Sequence, residues 1–310
     1  MTPPLAGVRV VDLTHFVAGP WCTMLLADLG AEVTKIEPPV TGEIGRRMGA
    51  VHTGGESAIY LAFNRNKRSV ALDLKDPRGR EAAHRLIADT DVVVQNMRPA
   101  AASALGMDAS SLSATREDLI YCAISAFGRT GPYAGKPGND PIIQALSGAM
   151  WLCGGPHGRP ARMGVSLPDF AAGVLAAVSI TSALHRRRHT GHGATLELNL
   201  LDAQLFAQID HILREAYGHT EEGPVPEDVP VLGLTEAIAA RPSLVERVNH
   251  PTVGSLPMLR TPVGCTPAWA VAHRPPPRLG EHTTEVLAEL GYSQESIKAL
   301  YEAGVAHAGQ

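Results

Sequence analysis

An excess of basic residues is the first thing this chain lacks: 27 Lys and Arg stand against 31 Asp and Glu, for a formal net charge of −4. Aromatic residues are scarce too, at 5%. Both facts argue against a nucleic-acid partner or an anionic membrane surface, which are recognised through clustered positive charge. No apolar stretch free of polar interruption reaches membrane-spanning length, and Met1-Thr2-Pro3-Pro4 does not open a secretory leader. The sequence therefore predicts a cytoplasmic protein with no membrane partner. Only four cysteines occur, Cys22, Cys122, Cys153 and Cys265, with no C-x-x-C spacing and apolar neighbours throughout. Buried reduced thiols are expected, with no metal site and no disulfide framework. A G-x-G-x-x-G loop is also missing. The first strand-to-helix turn has Gly19 alone, which argues against a nicotinamide or flavin cofactor despite Glu37 at the end of the second strand.

What the chain does contain is an alternation of short β-branched runs with helical apolar spacing. Strands are predicted over 8–13, 32–36, 69–74, 91–94, 119–123 and 194–200. Helices are predicted over 21–29, 77–88, 141–150, 169–188 and 201–217, with Ala18-Gly19-Pro20 as a turn before the first of them. Asp76 followed by Pro77 is an N-cap with proline at the first helical position. This order implies an α/β fold: a Rossmann-like parallel sheet with helices on both faces. Residues 221–228 are acidic, Pro-containing and aperiodic, and read as a linker. A short helix over 234–240, a β segment over 253–263, a Pro275-Pro276-Pro277 loop and two helices over 283–290 and 293–303 follow. The run from His185 to His192 has histidines at metal-like spacing. Arg186, Arg187 and Arg188 between them would repel a cation, so a solvated basic helix end is expected.

The densest chemical signal is Gly164-Val165-Ser166-Leu167-Pro168-Asp169-Phe170, which puts one carboxylate at the start of a long helix of small residues. Unpaired backbone N–H groups and the positive end of the helix dipole would favour Asp169 as the anion, as suits a nucleophile. The alternative from this segment alone is that Asp169 is only an N-cap.

Several segments in order resemble the class III CoA-transferase (CaiB/BaiF) family, formyl-CoA transferase included. They are the opening from Gly7 to Thr14 with Ala18-Gly19-Pro20, the run from Leu29 to Glu37, the stretch from Asn64 to Lys75, and residues 91–99 and 128–148. The Asp169 helix, Thr190-Gly191-His192-Gly193, Leu201-Asp202-Ala203 and Leu279-Gly280-Glu281-His282-Thr283 complete the set.

The resemblance implies transfer of coenzyme A from an acyl-CoA to a free carboxylic acid, with CoA as substrate and no permanently bound cofactor. The family's nucleophilic aspartate falls on Asp169, passing through an aspartyl anhydride and an aspartyl-CoA thioester. Contacts to CoA carry over to Phe16, Val17 and Ala18, to Leu72, Asp73, Leu74 and Lys75, to Asn96, Met97 and Arg98, and to Asn139 and Asp140. Lys75 and Arg98 suit phosphates; their bland alternatives are a solvated helix start and a surface loop. The family also implies a homodimer, often of interlocked chains.

Departures from the family bear on the reading. The interval after residue 217 is too short for the usual second domain. The expected organisation is a large CoA-binding domain over 1–217, a linker and remnant of the small domain over 218–248, and a C-terminal return over 249–310. The family's glycine-rich loop has no counterpart, and Pro38 and Ala104 stand where some relatives have arginine. Two alternatives stay open: a non-catalytic CoA-binding relative, and a 2-methylacyl-CoA racemase. The racemase needs a titrating group where this chain has Asn139, a place His15 would have to fill.

Overall fold

The computed structural model describes residues 2–114, 116–154, 158–216, 218, 239, 245–260 and 274–309. Strands β1 (Arg9–Leu13), β2 (Glu32–Glu37), β5 (Lys67–Leu72), β6 (Val92–Gln95), β7 (Ile120–Ser125) and β8 (Ala194–Asn199) are parallel and lie in the order β5-β2-β1-β6-β7-β8. Counted along the chain this is the 3-2-1-4-5-6 arrangement of doubly wound sheets. β11 (Ala306–His307) adds an antiparallel edge on β5. Two short hairpins stand apart: β3 (His52–Thr53) with β4 (Glu56–Ser57), and β9 (Val245–His250) with β10 (Gly254–Leu259).

Alternation within single strands shows why both faces are covered. Val10, Val92 and Val94 enter one core with Ile120 and Cys122. Their neighbours Val11, Val93 and Tyr121 enter the other. A strand with apolar side chains on both faces cannot leave either in water. The first core is closed by α1 (Ala18–Asp28) and α8 (Leu167–Thr190), whose Ala172, Ala176, Ile180 and Ala183 let the helices approach closely. α3 (Pro77–Ala88), α11 (Thr283–Glu289) and α12 (Gln294–Glu302) close the second. The C-terminal segment is tied to β5 by hydrogen bonds from Ala71 N to Thr283 Oγ1 (3.0 Å) and from Asp73 N to Val305 O (2.8 Å).

Local signals set most boundaries. Asp76 caps α3 by accepting from Arg78 N, with Pro77 first in the helix. Asn199 caps α9 (Leu200–Ala207), and Gly191, at φ 72°, ends α8. Arg187, in that last basic turn, pairs with Asp91 at 2.6 Å, so the His185 to His192 run is a helix end anchored to the sheet.

Several expectations need correction. Ala18-Gly19-Pro20 is the first turn of α1, not a turn before it; a proline is tolerated there because the N–H it lacks would have no intrahelical partner. The third strand runs two residues earlier than expected, over Lys67–Leu72. The 141–150 helix divides at Gly148 (φ 82°) into α6 (Asp140–Leu146) and α7 (Ala149–Gly154), and the 201–217 helix divides at Gln208 into α9 and α10 (Ile209–Ala216). The β segment near 253 is half of a hairpin whose other strand, β9, runs across residue 248, where the remnant's edge was set. Cys22 and Cys122 are buried, but Cys153 is exposed. α8 is long and apolar enough to cross a membrane by length and composition; its buried alanine face makes it a core helix here. The helix expected over 234–240, the linker, Cys265 and most of the expected remnant lie outside the described residues.

Candidate active site

The strand order reverses between β1 and β6, so the loops at their C-terminal ends diverge and leave a crevice, where open α/β sheets take their ligands. A cavity of about 360 Å³ opens there. Its floor comes from the β1–α1 turn (His15, Phe16, Val17, Ala18) and from Asn96 after β6. Asn139, Asp140 and Asp169 form a wall.

The floor turn is held from several sides. Asn96 accepts from His15 N (3.0 Å) and donates to His15 O (2.8 Å). Phe16 takes a left-handed φ of 74°, uncommon for a residue with a side chain, and its N–H donates to Glu43 Oε2 at 3.1 Å. Two lysines grip the carbonyls that flank it: Lys35 Nζ donates to Thr14 O (2.5 Å) and Lys67 Nζ to Pro20 O (3.0 Å). Both lysines are buried around Asp12, whose carboxylate accepts from Lys67 (3.0 Å), Thr14 (2.6 Å) and Thr23 (2.7 Å). Burial works against the Asp12 anion, but the two ammonium groups and the hydroxyls hold its ionisation well below the usual carboxylate range. Burial lowers Lys67 to about 8.

Asp169 is the third residue of α8, behind the N-cap Ser166, so it is not the cap. It is 5% exposed, and its Oδ2 has no hydrogen-bond partner among the described residues. α8 reaches α1 closely at Gly173, where a Cβ would lie 2.7 Å from Ala18 O and 2.7 Å from Trp21 Cδ1. Phe170 packs edge-on against Trp21 (5.3 Å) and Phe63 (5.8 Å) on this flank. Desolvation and the nearby Asp140 charge raise Asp169 to about 7, against the Ala18 N–H, which favours the anion. The expectation of a helix start that stabilises the anion is thereby reversed.

Asp140, at the start of α6, is 2% exposed. Its Oδ1 accepts from Gln144 Nε2 (2.7 Å) and lies 3.7 Å from Arg162 Nη2, while Oδ2 has no partner. Burial pushes its carboxyl group above the ordinary range and disfavours the anion, despite the cation.

Of the residues assigned to CoA, the fold brings Phe16, Val17, Ala18, Asn96, Asn139 and Asp140 to the cavity with Asp169. Asn139 caps α6, accepting from Ile142 N at 3.3 Å. Leu72 ends β5, and Asp73, Leu74 and Lys75 follow it on the same sheet edge, two strands from β1; Leu72 is in the core and Lys75 is exposed. Met97 and Arg98 follow β6, Met97 half-buried and Arg98 exposed as the residue before α4 (Pro99–Ala104). Glu37 is turned elsewhere, in a two-pronged pair with the buried Arg46 (2.7 and 2.8 Å). Sequence reasoning missed Ile44, Met48, Ser125, Gly138 and Leu200, which also line the cavity. Ser125 and Leu200 could have been found, since each sits at the C-terminal end of a parallel strand. Ile44 and Met48 come from a loop that carries no such signal.

Residues 5–240 match the model of CoA-transferase family III. The chain is 41% identical over 209 residues to human succinyl-CoA:glutarate CoA-transferase, covering 67% of this chain and 48% of that protein. It is 40% identical over 211 residues to acetyl-CoA:oxalate CoA-transferase of Acetobacter aceti, covering 68% and 54%. The chain thus spans about half the length of these curated relatives. The crystal structure of a CaiB/BaiF family protein from Brucella suis superposes with a TM-score of 0.84 at 27% identity, covering 94% of this chain and 100% of that one. With a buried carboxylate on a long helix at the crevice of a doubly wound sheet and a family match across most of its length, the chain belongs to CoA-transferase family III.

Proposed function

We propose that this protein moves coenzyme A from an acyl-CoA to a free carboxylic acid, with Asp169 as the nucleophile. One observation carries the reading: two buried carboxyl groups, each with an oxygen that has no partner among the described residues, line the cavity at the sheet's topological switch point, and of the two Asp140 is held by Gln144 and Arg162 while Asp169 is met by a backbone N–H. A carboxylate is a weak nucleophile in water. Desolvation strengthens it, and a covalent intermediate divides a hard exchange into easier steps.

Asp169 attacks the thioester carbonyl, the C–S bond breaks, and CoA leaves as the thiolate, giving an aspartyl anhydride. The thiolate then attacks the Asp169 carbonyl carbon, releasing the donor acid as its carboxylate and leaving an aspartyl-CoA thioester. The acceptor carboxylate attacks that thioester, expelling the thiolate and forming a second anhydride. Attack of the thiolate on the acceptor's acyl carbon yields the new acyl-CoA and restores the Asp169 carboxylate. No proton is consumed overall. The Ala18 N–H beside Asp169 is the group in hand to meet negative charge developing there.

The human and Acetobacter relatives are named for glutarate and oxalate, and we propose a dicarboxylic acid as acceptor here. The loops after β1, β5 and β6 share one sheet edge, which supports a CoA site that includes Phe16, Val17, Ala18, Leu72 to Lys75, Asn96 to Arg98, Asn139 and Asp140. Residues 1–217 and 249–310 would form that CoA-binding unit together, and the working form would be a homodimer.

The test is mass spectrometry of the full chain after incubation with succinyl-CoA, oxalyl-CoA and acetyl-CoA, followed by borohydride. A reduced product at Asp169, absent in Asp169→Ala together with CoA exchange, is expected. Full exchange by Asp169→Ala would sink the mechanism. CoA binding with no adduct from any donor would favour a non-catalytic relative.

A further inference from the structure

We propose that Asp140 and Asp169 hold one proton between them in the resting protein, with Gln144 and Arg162 together keeping the charge on Asp140 and leaving the proton on Asp169. The proposal uses the reading of Asp169 as nucleophile only for its consequence. Its basis is the arrangement of the groups.

Two carboxyl groups, 2% and 5% exposed, line one cavity, and each has a buried Oδ2 without a partner among the described residues. Among the described residues, no lysine or arginine lines that cavity. Two like charges so placed cannot both ionise cheaply, and one proton retained by the pair relieves the repulsion. The two groups are unequally supported. Asp140 Oδ1 has the Gln144 amide at 2.7 Å and the Arg162 guanidinium at 3.7 Å, whereas Asp169 has the Ala18 N–H. Charge therefore settles on Asp140 and the proton on Asp169.

Arg162 is placed for this by a buried staple. Gln144 is fully buried; besides Asp140 it donates to Val165 O (3.3 Å) and accepts from Met163 N (2.9 Å). The segment carrying Arg162 is thus pinned onto α6, with the Arg162 side chain itself 56% exposed. The other elements around the cavity supply few charges. The turn after β1 presents His15, which burial keeps toward neutrality. α1 presents a backbone N–H, α9 contributes Leu200, and the loop after β2 contributes Ile44 and Met48. Burial raises both carboxyl groups, and Asp169 the further, to about 7.

Asp140 then acts through Asp169, as a positioning residue. A carboxylate that retains its proton to near neutrality is the more basic and more nucleophilic once ionised, and its ionised fraction sets the rate at neutral pH.

The two variants make opposite demands. Asp140→Asn removes the repelling charge and lets Asp169 ionise at lower pH. Arg162→Gln removes the cation that holds the charge on Asp140 and drives the pair's ionisation to higher pH. Mere loss of packing does not yield opposite signs.

The experiment is a carbon NMR titration of the full chain labelled at aspartate carboxyl carbons, with Asp169→Asn to identify the resonance. The expected wild-type midpoint is about 7. It should fall by about one pH unit or more in Asp140→Asn and rise by roughly half a unit in Arg162→Gln. A wild-type midpoint in the ordinary carboxylate range, an unmoved midpoint in Asp140→Asn, or shifts of one sign in both variants overturns the proposal. The titration needs no turnover. Its failure is therefore separate from failure of the transfer reading, which the adduct experiment decides.

Discussion

Replacing Asp169 with asparagine should make the folded chain less sensitive to rising pH. Unfolded, this carboxyl ionises near 3.8; in the folded chain it ionises only near 7. Between those values the native state holds a proton that the unfolded state has lost. Stability must then fall as pH rises through the window, being fully present below the lower value and lost above the upper one. At about 1.4 kcal/mol for each pH unit between them, keeping the anion folded at pH 8 costs about 4 kcal/mol. Asparagine has nearly the same shape and no charge at any pH. The penalty of burying its amide is the same at pH 4 and pH 8, and drops out when the two conditions are compared. Thermal melts of wild type and Asp169→Asn across this range should therefore converge or cross, with the variant gaining about 4 kcal/mol on wild type. For a chain of 310 residues that corresponds to about 6 °C in relative Tm. Parallel Tm curves for the two proteins would refute the reasoning, because they would mean that Asp169 ionises alike in folded and unfolded chains.

Two further outcomes follow from the packing beneath the site. Gly173→Ala puts a Cβ 2.7 Å from the Ala18 carbonyl oxygen, which is backbone and cannot swing aside; crowding of about 1–3 kcal/mol outweighs a helix-propensity gain of roughly 0.5–1 kcal/mol. A lower Tm and slower CoA exchange are expected, and a stabilised, fully active variant would show that α1 and α8 do not approach as described. Asp12→Ala strands the buried Lys35 and Lys67, at a cost of about 3–5 kcal/mol. Urea unfolding of that variant should show the loss, and a midpoint matching wild type would contradict a charged core at this position.

The fold was legible because its signals are local and repeated. Val10 and Val11 point to opposite faces, Asp76 and Pro77 open a helix, and strand follows helix in regular order. Helix interruptions were less legible: apolar spacing continues across Gly148 and Gln208, and the breaks depend on how α6 and α9 meet. The site was partly legible. Asp169 stood out from its neighbours as the one acidic residue in the opening of a small-residue helix. The gathering of Asn96, Asp140 and Asp169, separated by tens of residues, depends on strand order, which spacing alone does not give. Asp140 was assigned to CoA binding by resemblance, and its place beside Asp169 emerges only when α6 and α8 are packed together.

The reversal at Asp169 shows why a helix start alone misleads about charge. A carboxylate in the first turn gains about 0.3–1 kcal/mol from the helix dipole at a surface, and up to about 2 kcal/mol when partly buried. Taking the same carboxylate out of water costs several kcal/mol unless hydrogen bonds or a cation replace the solvent. At Asp12 the replacement is complete, with two lysines and two hydroxyls, and the anion is favoured although the group is fully buried. At Asp169 there is one backbone N–H and a neighbouring carboxyl group, so desolvation prevails. The same physics thus produces a structural anion under the turn and a carboxyl group that keeps its proton to near neutrality in the cavity. The difference lies in the partners each is given, and the poverty of partners at Asp169 is what the proposed role as nucleophile would use.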